Sequence, residues 1–399
     1  MRLAPVVGIE IGTTKVLALV GEMREDGHIL ITGIGQHLSA GVRKAQVTDM
    51  EAVHICVRSA LEAAEQTGDV AIREVMLAVS GGHIQGEVNR GSVAVVDRDG
   101  EITADDVEAV IEVAQAIPLP HDRMDIHSLC QYFCVDDQEH IVRPEGMEGA
   151  RLSLDMFIMH GQRSSINTII KAVKDIPMDV QDVVFAGLCS ALAVLTEEQK
   201  QSGALVIDLG GGTTDYAVFM DKFLMTAGSL AIGGDHVTND IVQAFTIPTA
   251  RAETLKKESG CALVLEDEGP SVSLPAEVGF PSRIIDLSML HTVINARMEE
   301  TLELVKARIE HEGLLHQLGA GIILTGGGSH LARLPELASR VFGMPCSIGR
   351  PRNVSGLATV TEGPEFAACC GLVQYGFETL LEENEESSLR GLMKRLIGK

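Results

Sequence analysis

The sequence predicts an α/β fold of two lobes facing each other across a cleft, with a small α+β unit inserted into the first lobe. Three observations predict it. Val206-Ile-Asp-Leu-Gly-Gly-Gly-Thr-Thr-Asp215 is an apolar run that ends in an acid, three glycines, two threonines and a second acid. A weaker copy, Val7-Gly-Ile-Glu-Ile-Gly-Thr-Thr-Lys15, stands about 200 residues earlier in the 399-residue chain. A third run, Gly321-Ile-Ile-Leu-Thr-Gly-Gly-Gly-Ser329, is again apolar and again ends in glycines.

Each of the first two segments reads as strand, acid, tight turn, hydroxyls and returning strand (Val16–Val20; Tyr216–Phe219). Glycine permits positive φ and lets backbone N–H groups approach an anion closely. The threonine hydroxyls add donors. A carboxylate behind the turn suits Mg²⁺, which keeps several waters beside one or two carboxylates. Two such hairpins face to face would grip a polyphosphate from both sides. Two ordinary Gly-rich turns are the competing reading, and the pairing favours phosphate. In the third segment the residues from His330 to Ala338 look helical, and a Gly turn opening a helix is an anion or ribose site. None of the three is a G-x-x-x-x-G-K-[ST] loop or a G-x-G-x-x-G fingerprint. Their order is the layout of the actin-like ATPase superfamily.

Composition sets the bounds. A chain of 399 residues with 45% hydrophobic content has material for more than one core. A net charge of −24 argues against a general nucleic-acid binder. The eight cysteines are scattered and form no C-x-x-C pair, so buried, reduced thiols of a cytosolic protein are expected rather than zinc ligands. No signal peptide is evident, and no run of 18 apolar residues spans a membrane.

Taken in order, residues 1–82 alternate strand and helix. Val53, Cys56, Val57, Ala60, Leu61 and Ala64 have helical spacing, and Val75–Val79 reads as a buried strand ending in Ser80-Gly81-Gly82. Residues 83–162 read as the insert. It has a strand near Ser92–Val96, then a helix with Thr103 as N-cap, Asp106 three residues on and an apolar stripe of Val107, Val110, Ile111 and Ala114. Pro118 and Pro120 end that helix, and strand-like runs follow at His127–Val135 and Arg151–Met159. Helix (Ile166–Val173), strand (Val180–Phe185) and helix (Gly187–Leu195) then lead into the second hairpin. Gly233 and Gly234 open a helix to Phe245, and Ala252–Lys257 is a short basic helix. Residues 261–280 read as strands and loops. Ile284–Glu312 gives one or two long helices, and Phe366–Leu381 the last one before the tail.

The tail differs from the rest. Glu382–Glu386 reads as an acidic flexible linker. In Ser387–Lys399 the apolar residues Leu389, Leu392, Met393, Leu396 and Ile397 share one helical face, and Arg390, Lys394, Arg395 and Lys399 supply positive charge without an acid. This is the pattern of an interfacial membrane helix; a helix docked on the body is the alternative.

These residues resemble the FtsA family of bacterial actin-like cell-division proteins from about Val6 to the last residue. The carriers are the two hairpins, Phe185–Leu188 with Ala193–Glu197, Gly260–Leu263, Arg340–Phe342 and Pro351–Leu357. Ile117–Pro120, His127 and Gly146–Leu152 look like that family's own 1C subdomain. The resemblance implies subdomain 1A at 1–82 and 163–196, 1C at 83–162, 2A at 197–239 and 313–381, and 2B at 240–312. Residues 382–399 would be the linker and membrane helix. It implies ATP held by Gly12, Thr13, Thr14 and Lys15 from one lobe and by Gly210, Gly211, Gly212 and Thr213 from the other. Glu10 and Asp208 would orient Mg²⁺ through water. Gly233, Gly234, Glu253, Lys256, Lys257, Gly326, Gly327 and Gly328 would serve the nucleoside side. It implies self-assembly into filaments on the cytoplasmic face of an anionic membrane, contact with later division proteins, and docking of the FtsZ C-terminal peptide near Arg283 and Arg297. Glu10 stands where the wider superfamily more often has Asp. The sequence singles out no group to orient water, so ATP is expected mainly as a clamp on the lobe angle, with a weak ATPase at most. A PilM-like pilus scaffold and a superfamily small-molecule kinase are the alternatives. The first would not need the terminal helix, and the second would need a catalytic Asp and a substrate domain.

Overall fold

Two sheets repeat one plan. In the first, the antiparallel meander Val6–Ile11, Lys15–Met23 and Ile29–Leu38 is extended by two parallel strands, Glu74–Val79 and Asp179–Phe185. The short strand Val354–Gly356 closes its other edge. In the second, Ala204–Leu209, Thr214–Met220 and Phe223–Leu230 form the meander, and Ile322–Thr325 and Cys346–Ile348 run parallel beside it. The register repeats too. Ile11 pairs with Val16 and Leu209 with Thr214, so both hairpins close through loops of the same length. The computed structural model describes residues 3–96, 99–264, 271–276, 281–357 and 362–385.

Helix Met50–Gly68 covers the outer face of the first sheet. Asp49 caps it by accepting from Ala52 N–H, and its buried residues are Val53, Cys56, Val57, Ala60, Leu61 and Ala64. It lies against the strand Ile29–Leu38 at a glycine: a Cβ on Gly35 would stand 1.7 Å from the Ala60 carbonyl oxygen. Helix Ala186–Val194 packs against strands of both sheets and is buried at all but one position, as an element enclosed on every side must be. It crosses helix Ala367–Glu385 so closely that a Cβ on Gly371 would meet the Cys189 carbonyl at 1.8 Å. The far face of the second sheet is covered by Gly234–Phe245, Thr249–Ser259, Leu287–His311 and Leu334–Phe342.

The insert is an antiparallel sheet in the order Gln85–Ala94, Arg151–Gln162, Arg123–Val135, Gln138–Ile141, with helix Ala104–Gln115 on one face. Thr103 accepts from Asp106 N–H and Asp106 accepts from Thr103 N–H, a complete capping box. Val107, Val110, Ile111 and Ala114 fill a core of the insert's own.

Several elements differ from the sequence reading, among them the insert's first strand, which is Gln85–Ala94 where Ser92–Val96 was expected. The insert has the additional strand Gln138–Ile141. The long segment is strand Arg283–Asp286 followed by one helix, because Asp286 caps that helix by accepting from Ser288 N–H. After the third glycine turn comes a 3-10 turn, Gly327–His330, and the helix starts only at Leu334: Arg333 sits at φ 60° and Pro335 fits the first helical turn, where no N–H partner is needed. The acidic run is helical as far as Glu385, the end of helix Ala367–Glu385, where a flexible stretch was expected; glutamate is a good helix former, and Glu386 lies outside the described residues. The basic amphipathic segment from Leu389 to Ile397 lies outside the described residues. All eight cysteines are unpaired, seven of them buried. Among the described residues no helix is long and apolar enough to cross a membrane.

Candidate functional site: the cleft between the hairpins

The two hairpin turns meet head to head. In each, the first glycine donates its N–H to the carbonyl three residues on, Gly12 to Lys15 and Gly210 to Thr213, both at 2.9 Å. A Cβ on Gly211 would stand 2.5 Å from Thr14 Cγ2, and one on Gly212 would stand 2.3 Å from Thr13 Oγ1. Only glycine lets the lobes approach this closely. Thr13 Oγ1 accepts from Ala45 N–H (3.1 Å), which brings the 41–47 loop to the same place.

Carboxylates gather behind the turns. Asp208 accepts a short hydrogen bond from Ser190, and buried Asp215, its cross-strand partner, accepts from Ser80 (2.7 Å). Burial pushes Glu10 up to about 7, with Lys15 opposing and Asp208 adding to the shift. Burial and the Asp208 charge push Asp215 up to about 7 against hydrogen bonds from Ser229 and Ser80. Asp208 is raised by burial against Ser190 and Lys15. Glu10 is half-buried as a residue, yet its Oε2 is fully enclosed and has no hydrogen-bond partner. The cation beside these acids is Lys15, whose Nζ donates to the Glu365 carbonyl (2.9 Å) and lies 4.3 Å above the Phe366 ring.

This charge balance tests the fit of a divalent ion. Among the described residues, Lys15 acts on Glu10 and Asp208 while Asp215 adds a third carboxyl group behind the turn, and an added cation would offset the cost of holding these acids together. Among the described residues no three His, Cys, Asp or Glu side chains are arranged to hold a metal directly. An ion beside Glu10 and Asp208 would therefore keep most of its shell as water or phosphate oxygen, as Mg²⁺ does.

The remaining sequence-predicted residues divide. Gly326, at φ 80°, is folded onto the second hairpin: a Cβ there would stand 2.1 Å from Asp208 Oδ1, and one on Gly328 would stand 2.8 Å from Leu209 Cβ. Gly327 starts the 3-10 turn between them. Gly234 N–H donates to the Gly210 carbonyl (2.9 Å) and Asp235 N–H to that of Gly211 (2.8 Å), so the start of helix Gly234–Phe245 is pinned to the phosphate turn, beside Gly233. Lys256 Nζ donates to the Gly234 carbonyl (3.0 Å) and pairs with Glu253 (2.7 Å), which also pairs with Lys257 (3.2 Å). All these groups border one cleft. Arg283 and Arg297 lie on the second lobe and are bonded to helix Gly234–Phe245. Arg297 is bound to Asp240 (2.5 Å) and Glu300 (2.5 Å), and Arg283 donates to the Phe245 carbonyl (2.7 Å).

Sequence reading missed Ser80, Ser190 and the role of Asp215. Ser80 is explained by the strand order, which the sequence alone does not show. Strand Glu74–Val79 occupies in the first sheet the place of Ile322–Thr325 in the second, so Ser80-Gly81-Gly82 is the counterpart of Gly326-Gly327-Gly328.

A family model described as "Cell division protein FtsA" matches residues 205–371, and one described as "SHS2 domain inserted in FTSA" matches residues 81–160. The chain is 37% identical over 395 residues to cell division protein FtsA of Escherichia coli strain K12, covering 96% of this chain and 93% of that one. It is 36% identical over 374 residues to the FtsA of Pseudomonas aeruginosa, covering 94% and 89%. A PilM–PilN type IV pilus biogenesis complex superposes with a TM-score of 0.65 at 16% identity, covering 94% of this chain and 99% of that one. MreB5 of Spiroplasma citri bound to AMPPNP superposes with a TM-score of 0.57 at 14% identity, covering 97% and 99%. At these identities the two structures speak to the fold alone, which is actin-like.

Proposed function

The chain belongs to the FtsA family of cell-division proteins, and from that premise we propose that it binds Mg-ATP between its hairpins, polymerises on the cytoplasmic face of the membrane at the division site, and tethers FtsZ there. The observation that supports nucleotide binding is the meeting of two turns of the same register, backed by three enclosed carboxyl groups. In this reading the backbone N–H groups and hydroxyls of Gly12–Thr14 and Gly210–Thr213 hold the phosphates. Lys15 exchanges its Glu365 carbonyl partner for phosphate oxygen. Glu10 and Asp208 orient the waters of the ion. Bound Mg²⁺ supplies the positive charge that the site's own residues lack. Asp215, raised by burial and the Asp208 charge and held by Ser80 and Ser229, backs the second phosphate turn.

The membrane part rests on Leu389, Arg390, Leu392, Met393, Lys394, Arg395, Leu396 and Ile397. One short helix with these residues binds marginally, gaining about 1 kcal/mol for each basic residue near anionic lipid. A filament arrays many copies and turns weak contacts into avidity. For the FtsZ peptide, the strand that starts at Arg283 and the helix after it carry the exposed apolar residues Ile284 and Met289, 76% and 61% exposed, and such apolar surface suits a short linear segment. Arg297, paired with Asp240, is assigned to the same lobe's docking region. Recruitment of later division proteins is assigned to the insert.

Titration with a fluorescent ATP analogue, with and without Mg²⁺, tests the nucleotide reading. We expect Mg²⁺-dependent binding that Gly212→Val abolishes, because the side chain would fall on Thr13 and Lys44. Equal binding by that variant would sink the assignment.

A further inference from the structure

We propose that the insert is a readout of the cleft: Ser80 and the strand Phe223–Leu230 carry the state of the second phosphate turn to the root and face of the inserted sheet. The proposal rests on the nucleotide reading above and adds a regulated element to it.

The first connection runs through Ser80. Its hydroxyl donates to Asp215 (2.7 Å) and lies 3.1 Å from Thr213 Oγ1 and 3.4 Å from Ser229 Oγ, all residues of the opposite lobe. Two residues on, Gly82 lies against the second lobe, where an added Cβ would stand 3.0 Å from the Ala231 Cβ. His83 then starts the insert, and it is tied at once to the insert's other strands. Its carbonyl accepts from Arg123 Nη2 (2.8 Å), and its Nδ1 accepts from the backbone N–H of Gln162, the last residue of the exit strand (3.3 Å). Arg123 Nε donates to His160 Nδ1 (2.5 Å), and His160 Nε2 meets Glu87 (2.9 Å). Arginine only donates, so Nδ1 of His160 is the acceptor and its Nε2–H donates to Glu87. The entry, middle and exit strands of the insert are thus bonded together three residues from the hydroxyl that touches the phosphate turn.

The second connection is independent. Gln131, buried on the middle strand of the insert, donates its amide to the carbonyls of Leu224 (2.7 Å) and Met225 (3.1 Å). Next to it, Tyr132 donates to Asp221 (3.0 Å) and packs edge-on to Phe223 with ring centroids 4.8 Å apart. The strand they hold pairs with Thr214–Met220, and Ser229 stands opposite Asp215 in that register. Both connections therefore end on the neighbours of Asp215. An insert that belongs covalently to the first lobe is fastened to the second, and close packing passes a change of lobe angle to it as a discrete shift.

Hydrogen–deuterium exchange on the full chain, with and without saturating Mg-AMPPNP, tests this, with calorimetry run in parallel to measure occupancy. Exchange in residues 85–94 and 123–135 of the wild type should change by about fivefold or more, the low end of ordinary coupling between sites. Ser80→Ala and Gln131→Met, each compared at its own saturation, should lose most of that change. A wild-type insert that does not respond at full occupancy overturns the proposal. So does an undiminished response in both variants. No heat of binding from the wild type overturns the nucleotide reading itself and the coupling with it, and calorimetry tells that failure from the others.

Discussion

Gly326 shows how tightly single residues are specified around the cleft. Its φ of 80° is open to glycine, and a Cβ would stand 2.1 Å from Asp208 Oδ1. Gly326→Ala should cost about 1–3 kcal/mol of stability and displace the Asp208 carboxylate. Thermal unfolding and analogue titration check both effects, and nucleotide affinity should fall by at least about tenfold, the effect of 1.4 kcal/mol at the site. A variant with wild-type affinity would place Asp208 outside the binding site. His127 carries a pH dependence of another kind. Burial holds its ring down at about 4 from an ordinary 6.5, and its Nε2 accepts from Phe185 N–H (3.0 Å). The unfolded chain takes up that proton near pH 6.5 and the folded chain resists until about pH 4, so stability is lost as pH falls through this window. The contribution is about 3 kcal/mol at full extent. His127→Gln keeps an acceptor and removes the titration, so its melting temperature should fall less steeply between pH 6.5 and 4.5. An unchanged slope would show that other groups govern acid unfolding.

Among the elements, helices with a regular stripe were the most legible in the sequence. The six residues spaced through Val53–Ala64 are the buried residues of Met50–Gly68, and the four of Val107–Ala114 are those of Ala104–Gln115. Leu61 is enclosed in the first of these stripes, and Leu61→Ala should cost about 2–5 kcal/mol in denaturant unfolding. A loss under 1 kcal/mol would mean the helix is not packed as described. The hairpins were legible because acid, glycine and hydroxyl are local signals. Ser80 was not, because a serine before two glycines acquires its role only when strand order sets it beside the opposite lobe. Ser190 is hidden in an otherwise apolar helix for the same reason: its partner, Asp208, lies on another element. Charge density alone does not separate helix from flexible chain, and the acidic run is helical as far as Glu385. The terminal basic segment is tested by chemistry. Replacing Lys394 and Arg395 by glutamate should remove about 1 kcal/mol per lost basic residue near anionic lipid. Unchanged liposome binding would assign membrane contact to another element.

At the scale of the whole molecule, the repeated sheets make two similar lobes, and the cleft between them is where ligand binding would fix their angle. The insert and the helix Ala186–Val194 both touch the two lobes, so that angle is shared by the entire body. A fixed angle favours a regular filament, and a filament multiplies weak membrane contacts. Membrane binding and self-assembly should therefore reinforce each other, with lipid affinity rising as protein concentration passes the assembly threshold; equal affinity for monomer and polymer would contradict this. The most direct test of the tethering role is co-sedimentation of a labelled FtsZ C-terminal peptide with anionic liposomes in Mg-ATP, comparing the full chain with one ending at Glu386. The account predicts that the full chain carries the peptide into the pellet and that the shortened chain binds the peptide but leaves it in solution. Equal peptide in both pellets, or in neither, would contradict the account.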